Sequence, residues 1–188
     1  RKFHAEGKVA NKAAIETALR LVDYRKLEVS PSQIRLPVKG MAITLNGIAQ
    51  GYITDRIADL MHNSGHDRVL VQMGEIHGRA PNNQPWRIGL DGLSDQVSLT
   101  TGAVATSSGS GTKFSNTANH LINPSNGTSP GHYNSVSIIA ARAMTADAIS
   151  TAIYTAAKSL SAEISSASGI QGFVLEHADG RIERSWDS

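Results

Sequence analysis

Asp147 and Thr151 stand four residues apart in Thr145-Ala146-Asp147-Ala148-Ile149-Ser150-Thr151. On a helix that spacing stacks a carboxylate and a hydroxyl on one face, one turn apart. Such a pair suits Mg2+, which takes few protein oxygens and completes its shell with water or phosphate. An acid that merely offsets the helix dipole, beside a solvated threonine, has the same spacing. His120 precedes an Asn123-Pro124 turn, where an imidazole can act as general base on a hydroxyl nucleophile. A purely structural histidine fits there too. His4, His62, His66, His77, His132 and His177 form no HExxH motif, and the His62/His66 spacing alone identifies no metal site. The loop Thr106 to Thr112 is rich in hydroxyls and glycine; it can cradle a phosphate or simply turn. Ser107 and Ser108 lack a GxSxG frame, which argues against serine-hydrolase chemistry.

The elements that must position these residues are legible from periodicity. Met41 to Leu45 alternates as a short strand. Asn46-Gly47 then turns into a helix, with Ile48, Tyr52, Ile53, Ile57, Leu60 and Met61 at helical spacing. Asn46 is its expected N-cap and Gly65 its stop. Amides at such a helix start suit an anion such as a diphosphate. GxGxxG and Walker patterns are absent. Ala10 to Tyr24 and Thr145 to Leu160 read as further helices, the second with Ile149, Ile153, Ala156 and Leu160 facing inward. Strands are expected at Leu27–Leu36 (around a Ser30-Pro31 turn), Arg68–Met73, Trp86–Leu90, Gln96–Leu99, Ala103–Thr106 and Ser135–Ala140. Gly172–Glu176 and Arg181–Arg184 form a hairpin across Asp179-Gly180. Irregular alternation with hairpins indicates an α+β fold rather than a doubly wound sheet.

The 188 residues, 40% hydrophobic and 18% charged, suffice for one globular domain with its own core. A net charge of +2 and scattered basic residues give no nucleic-acid footprint. Aromatics at 5% argue against a base-stacking platform. No apolar run reaches the roughly 18 residues that cross a bilayer. Cysteine is absent, so disulfides, thiolate zinc sites and cysteine nucleophiles are excluded.

Four segments resemble, in order, the signatures of the ApbE family, which transfers FMN from FAD to a threonine or serine of a target protein. Thr44-Leu45-Asn46-Gly47-Ile48-Ala49-Gln50-Gly51-Tyr52-Ile53-Thr54-Asp55 is similar to DLxxIAKGYxxD. Val71 to Ile76 resembles VNxGGDI. Ala103 to Ser107, continued by His120-Leu121-Ile122-Asn123-Pro124 to Gly127, resembles the strand and HxIxDPxTG turn. Ala146 to Thr151 is similar to ADALST.

The resemblance implies an ApbE-like (T-fold-like) mixed sheet with packed helices. It also implies Mg2+ held by Asp147, Thr151 and the Gly47 carbonyl. FAD contacts would fall to Thr44, Asn46, Gln50 and Ile122, and His120 would be the base. The implied partner is a membrane-associated target flavoprotein, in a periplasmic or otherwise extracytoplasmic compartment. Thr44 replaces the usual Asp and Gln50 the usual Lys, each removing a charge near the flavin. Asn46, Gln72, Glu75, Ser108 and Asn123 also depart, in a form similar to the flavin transferases that mature nitrous-oxide reductase. Members carry roughly a hundred further N-terminal residues, a domain-sized segment. Residues 1–188 are thus expected to form one domain, the C-terminal two-thirds of the family fold. Two other outcomes fit the same residues: a metal-dependent FAD diphosphatase, and a non-catalytic flavin-binding module.

Overall fold

The computed structural model describes residues 11–81, 84–90, 93, 94, 96–156, 158–167 and 169–186. Helix α1 (Lys12–Leu19) is followed by the hairpin β1 (Glu28–Ser30) and β2 (Gln33–Arg35), then by α2 (Ala49–Asn63). Strands β3 (Val69–Gln72), β4 (Ile76–Arg79), β5 (Trp86–Gly89), β6 (Gln96–Leu99), β7 (Thr101–Ser108) and β8 (Tyr133–Ala140) come next. Helices α3 (Ala143–Thr155) and α4 (Ser161–Ala167) precede the closing hairpin of β9 (Gly172–His177) and β10 (Ile182–Ser185).

Six strands form the central sheet, in the order β10-β9-β8-β7-β4-β3. The resemblance implies a mixed sheet; the pairings among the described strands are all antiparallel. Strand alternation sorts side chains onto two faces. Ala105, Val136, Ile138, Ala140 and Leu175 join Ala146, Ile153 and Tyr154 of α3 in one core. Val104, Ile139 and Val174, on the opposite face, pack with Ile88, Val97 and Leu99 of the β5–β6 hairpin. The architecture is α+β in three layers: helices, sheet, hairpin. Helix α2 covers the β3 end through Ala58 and Ile57 against Val69 and Val71.

Several elements differ from the sequence expectation. Met41 to Leu45 belongs to no strand; Ile43 and Leu45 are exposed, and β propensity without a pairing partner makes no ladder. Asn46 is not the N-cap of α2: that helix begins at Ala49 after Ile48, with no side-chain cap. The Asn46-Gly47 turn is real, because the Leu45 carbonyl accepts the amides of Ile48 and Ala49. The helix stops as expected at Gly65 (φ +90°). There the amides of Gly65 and His66 bond the carbonyls of His62 and Met61, the paired closure that a left-handed glycine permits. Helix α1 is shorter than Ala10–Tyr24, starting after Asn11, whose side chain accepts the Ala14 amide. Helix α3 starts two residues before Thr145 and ends at Thr155, leaving Leu160 exposed.

Candidate active site where two helices cross

Helices α2 and α3 meet at a contact that only glycine permits. A Cβ built on Gly51 would lie 2.4 Å from the Ala143 carbonyl oxygen and 2.7 Å from Met144 Cα. At this crossing the Gly51 amide donates to Asp147 Oδ2 at 3.0 Å. Three amides at the start of α2 are therefore already engaged within the chain. Ile48 and Ala49 are bonded to Leu45, and Gly51 recruits a carboxylate of its own chain.

Thr151, one turn along α3 from Asp147, faces Gly47. A Cβ on Gly47 would come within 3.1 Å of Thr151 Cγ2 and 3.5 Å of its Oγ1. From the sheet, Ser107 Oγ lies 2.8 Å from Ser150 Oγ and 3.2 Å from Thr151 Oγ1. Gly47, Asp147 and Thr151, the three candidate metal ligands read from the sequence, are thus brought together.

Glu75 closes the cluster from the β3–β4 turn. Its carboxyl is pushed up to about 7, first by burial and then by the negative charge of Asp147; a hydrogen bond from the Thr106 backbone opposes the rise. Asp147 is raised as well, by burial, against the Gly51 amide that favours its ionised form. Two buried carboxylates that resist ionising are short of positive charge. Among the described residues, no group of three or more His, Asp or Glu side chains converges. The cluster instead combines two carboxylates with hydroxyls and a turn.

Gln50 docks on the same turn, since a Cβ on Gly74 (φ +101°) would meet Gln50 Nε2 at 2.5 Å. Thr44, Asn46 and Ile122 are exposed, with Thr44 Oγ1 accepting the Asn46 amide at 3.4 Å. His120 is exposed beside Gly111. Its Nδ1 lies 3.3 Å from the Thr112 carbonyl, which can accept a proton carried on that nitrogen. The neighbouring Asn119 lies against Gly109, as does the Tyr154 hydroxyl of α3, which ties the histidine loop to the helix of Asp147. A cavity of about 500 Å³ opens beside Glu75, lined also by Gly74, Thr106, Ser108 and Ser110. Another, of about 520 Å³, lies among α4, β9 and β10, and neither cavity is lined by Gly47, Asp147, Thr151, His120 or the candidate flavin contacts.

The ApbE family model matches residues 1–173. The chain belongs to the ApbE family. It is similar to the FAD:protein FMN transferase of Treponema pallidum (strain Nichols), with 28% identity over 171 residues covering 75% of this chain and 47% of that protein. Similarity to the FAD:protein FMN transferase of Escherichia coli (strain K12) is 26% over 162 residues, covering 78% and 45%. The chain spans about half the length of these curated relatives. Among solved structures, the ApbE protein of Thermotoga maritima superposes with a TM-score of 0.85 at 29% identity, covering 95% of this chain and 62% of that one. The flavinyl transferase ApbE of Pseudomonas stutzeri gives 0.73 at 25% identity, covering 95% and 58%.

In this ApbE chain the four signature segments are far apart in sequence and adjacent in space. The first supplies Gly47 and Gly51, the second Glu75, the third Ser107 and the fourth Asp147 and Thr151. Sequence reasoning assigned no role to Glu75, Ser107 or Ser150. The strand-turn signature around Glu75 was the available signal; its apposition to Asp147 was not.

The Glu75 carboxyl loses its proton near 4.5 when unfolded and near 7 when folded. Between those values the folded state holds the extra proton on Glu75, so this group's own contribution to stability falls as pH rises from about 4.5 to about 7. The full effect is about 3 kcal/mol at most. Thermal melts of the metal-free chain are expected to fall between pH 5 and pH 8, and the Glu75→Gln variant to fall less.

Proposed function

We propose that the chain carries the active site of a Mg2+-dependent FAD:protein FMN transferase, joining FMN through a phosphoester to a Thr or Ser of a target flavoprotein and releasing AMP. The observation that carries this reading is the convergence of Gly47, Asp147, Thr151 and Glu75 at the α2–α3 crossing. The relatives named FAD:protein FMN transferases support the chemistry.

The donor set fits a hard divalent cation. It offers carboxylate and hydroxyl oxygens, a backbone turn, and buried carboxylates that, among the described residues, have no cation holding their charge. Asp147, Thr151 and the Gly47 carbonyl would hold Mg2+, with Glu75 beside them. Bound there, Mg2+ would neutralise diphosphate charge and favour departure of AMP. The chain's own residues do the rest. Gln50, docked on Gly74, fixes the first turn of α2 against Glu75; the exposed Thr44, Asn46 and Ile122 would serve as flavin contacts, as the family resemblance implies. His120, through Nε2, accepts the hydrogen of the acceptor hydroxyl. The acceptor oxygen forms a bond to the FMN phosphorus, the P–O bond of the bridge breaks, and AMP leaves with that bridging oxygen. We place the reaction on a membrane-associated target in a periplasmic or otherwise extracytoplasmic compartment, as the family resemblance implies.

The test is an intact-mass assay of a candidate acceptor domain mixed with the chain, FAD and Mg2+. One FMN gained by the acceptor, and none with chelator, is the expected result. AMP released at the same rate without acceptor would identify a diphosphatase instead. FAD bound and unchanged in Mg2+ would identify a flavin-binding module. His120→Ala is expected to slow transfer by about a hundredfold or more with melting unchanged, because the ring is exposed.

A further inference from the structure

Helix α3 begins at Ala143, yet its own N-cap residue, Arg142, provides no side-chain cap. The cap comes from Asp55 on α2. Asp55 Oδ1 accepts the Ala143 amide at 2.8 Å and Oδ2 the Met144 amide at 3.0 Å. Only 2% of Asp55 is exposed. His77 Nδ1 holds its Oδ1 at 2.6 Å from the sheet, and Arg142 Nε lies 3.3 Å from Oδ2. The Arg142 guanidinium also grips both oxygens of Asp59, at 2.9 and 2.8 Å. One turn earlier on α2, Gly51 donates its amide to Asp147 of α3. Each helix therefore caps the other: Asp55 satisfies the first amides of α3, and Asp147 satisfies an early amide of α2.

A residue that caps a helix in trans fixes axial position and rotation together, since two amides must meet two oxygens of one carboxylate. Gly51 excludes any slack between the axes. From this geometry we infer that Asp55, anchored by His77, is the positioning residue that sets Asp147 and Thr151 opposite Gly47. It acts through α3 and touches neither substrate nor cation. The inference rests on the cation site of the proposed function, and it extends that site to a supporting layer in the sheet and α2. Supporting residues of this kind change metal affinity by about tenfold to a hundredfold.

The test compares the 188-residue chain with its Asp55→Asn variant, using Mn2+ as the probe cation and amide hydrogen exchange as a second reading. Asn keeps one acceptor but turns an NH2 group toward a donor, so the Ala143 and Met144 amides cannot both stay capped and the two-point fix on α3 is lost. The expected result is a Kd for Mn2+ raised about tenfold or more, with the Gly51 amide less protected and secondary structure retained. An unchanged Kd together with unchanged Gly51 protection would overturn the inference. Should Asp55→Asn fail to fold, His77→Gln decides, because it leaves both capping amides in place and removes only the anchor. A Kd raised at least about threefold supports the clamp, and an unchanged one overturns it. If the parent chain takes up no Mn2+, the cation reading fails. The clamp is then judged on exchange alone, where unaltered Gly51 protection in Asp55→Asn overturns it.

Discussion

Asp147→Asn is expected to reduce FMN transfer by about a thousandfold while leaving the metal-free protein at least as heat-stable as the parent. The two halves of this expectation have one cause. Asp147 is buried, and burial raises its carboxyl, so its charge works against the metal-free fold near neutral pH. Asn is nearly the same shape and still accepts the Gly51 amide that Asp147 Oδ2 accepts at 3.0 Å, so the helix crossing survives. What is lost is an anionic oxygen beside Thr151 and Gly47. Loss of activity with a retained or higher melting temperature marks a residue kept for function at some expense of stability. Steady-state transfer and a thermal melt check both halves. Loss of activity together with a collapsed melt would mean that Asp147 serves the fold first.

Gly51→Ala has the opposite profile. The added methyl would sit 2.4 Å from the Ala143 carbonyl oxygen, 2.6 Å from its carbon and 2.7 Å from Met144 Cα. All three are backbone atoms at the first turn of α3, so no flexible side chain can swing away. The helices must separate, which loosens the Gly51–Asp147 and Asp55–Ala143 bonds together. Overpacking of this kind costs about 3 kcal/mol, a large part of the roughly 5–15 kcal/mol that holds a domain together. Denaturant titration is expected to show that loss, with activity falling alongside. Ordinary helix propensity favours Ala over Gly by about 1 kcal/mol, so a stabilised variant would show that the close approach is absent in solution.

Much of this arrangement could be read from the chain. The four-residue spacing of Asp147 and Thr151 put them on one helical face, and both reach the cluster. The Gly65 stop, the Asp179-Gly180 hairpin and the buried strands around Val136 and Val174 followed from local signals. What stayed hidden depends on partners distant in sequence. Residues 41 to 45 carry a strand pattern but meet no strand. Asn46 has the chemistry of an N-cap, while the helix it precedes starts three residues later and gives the Gly51 amide to Asp147. The start of α3 at Ala143 is set by Asp55, 88 residues upstream, so a reading of residues 140 to 150 places it too late. Glu75 departs from the family pattern by one methylene and one missing glycine. Its importance emerges only when β4 and β7 pair and bring its turn beside Asp147.

The most direct measurement is the anomalous-scattering map of crystals of this chain grown or soaked with Mn2+ in place of Mg2+. One peak is expected at the α2–α3 crossing, within about 2.5 Å of an Asp147 carboxylate oxygen, Thr151 Oγ1 and the Gly47 carbonyl oxygen, and absent in Asp147→Asn. A peak elsewhere, or the same peak in that variant, would contradict this assignment.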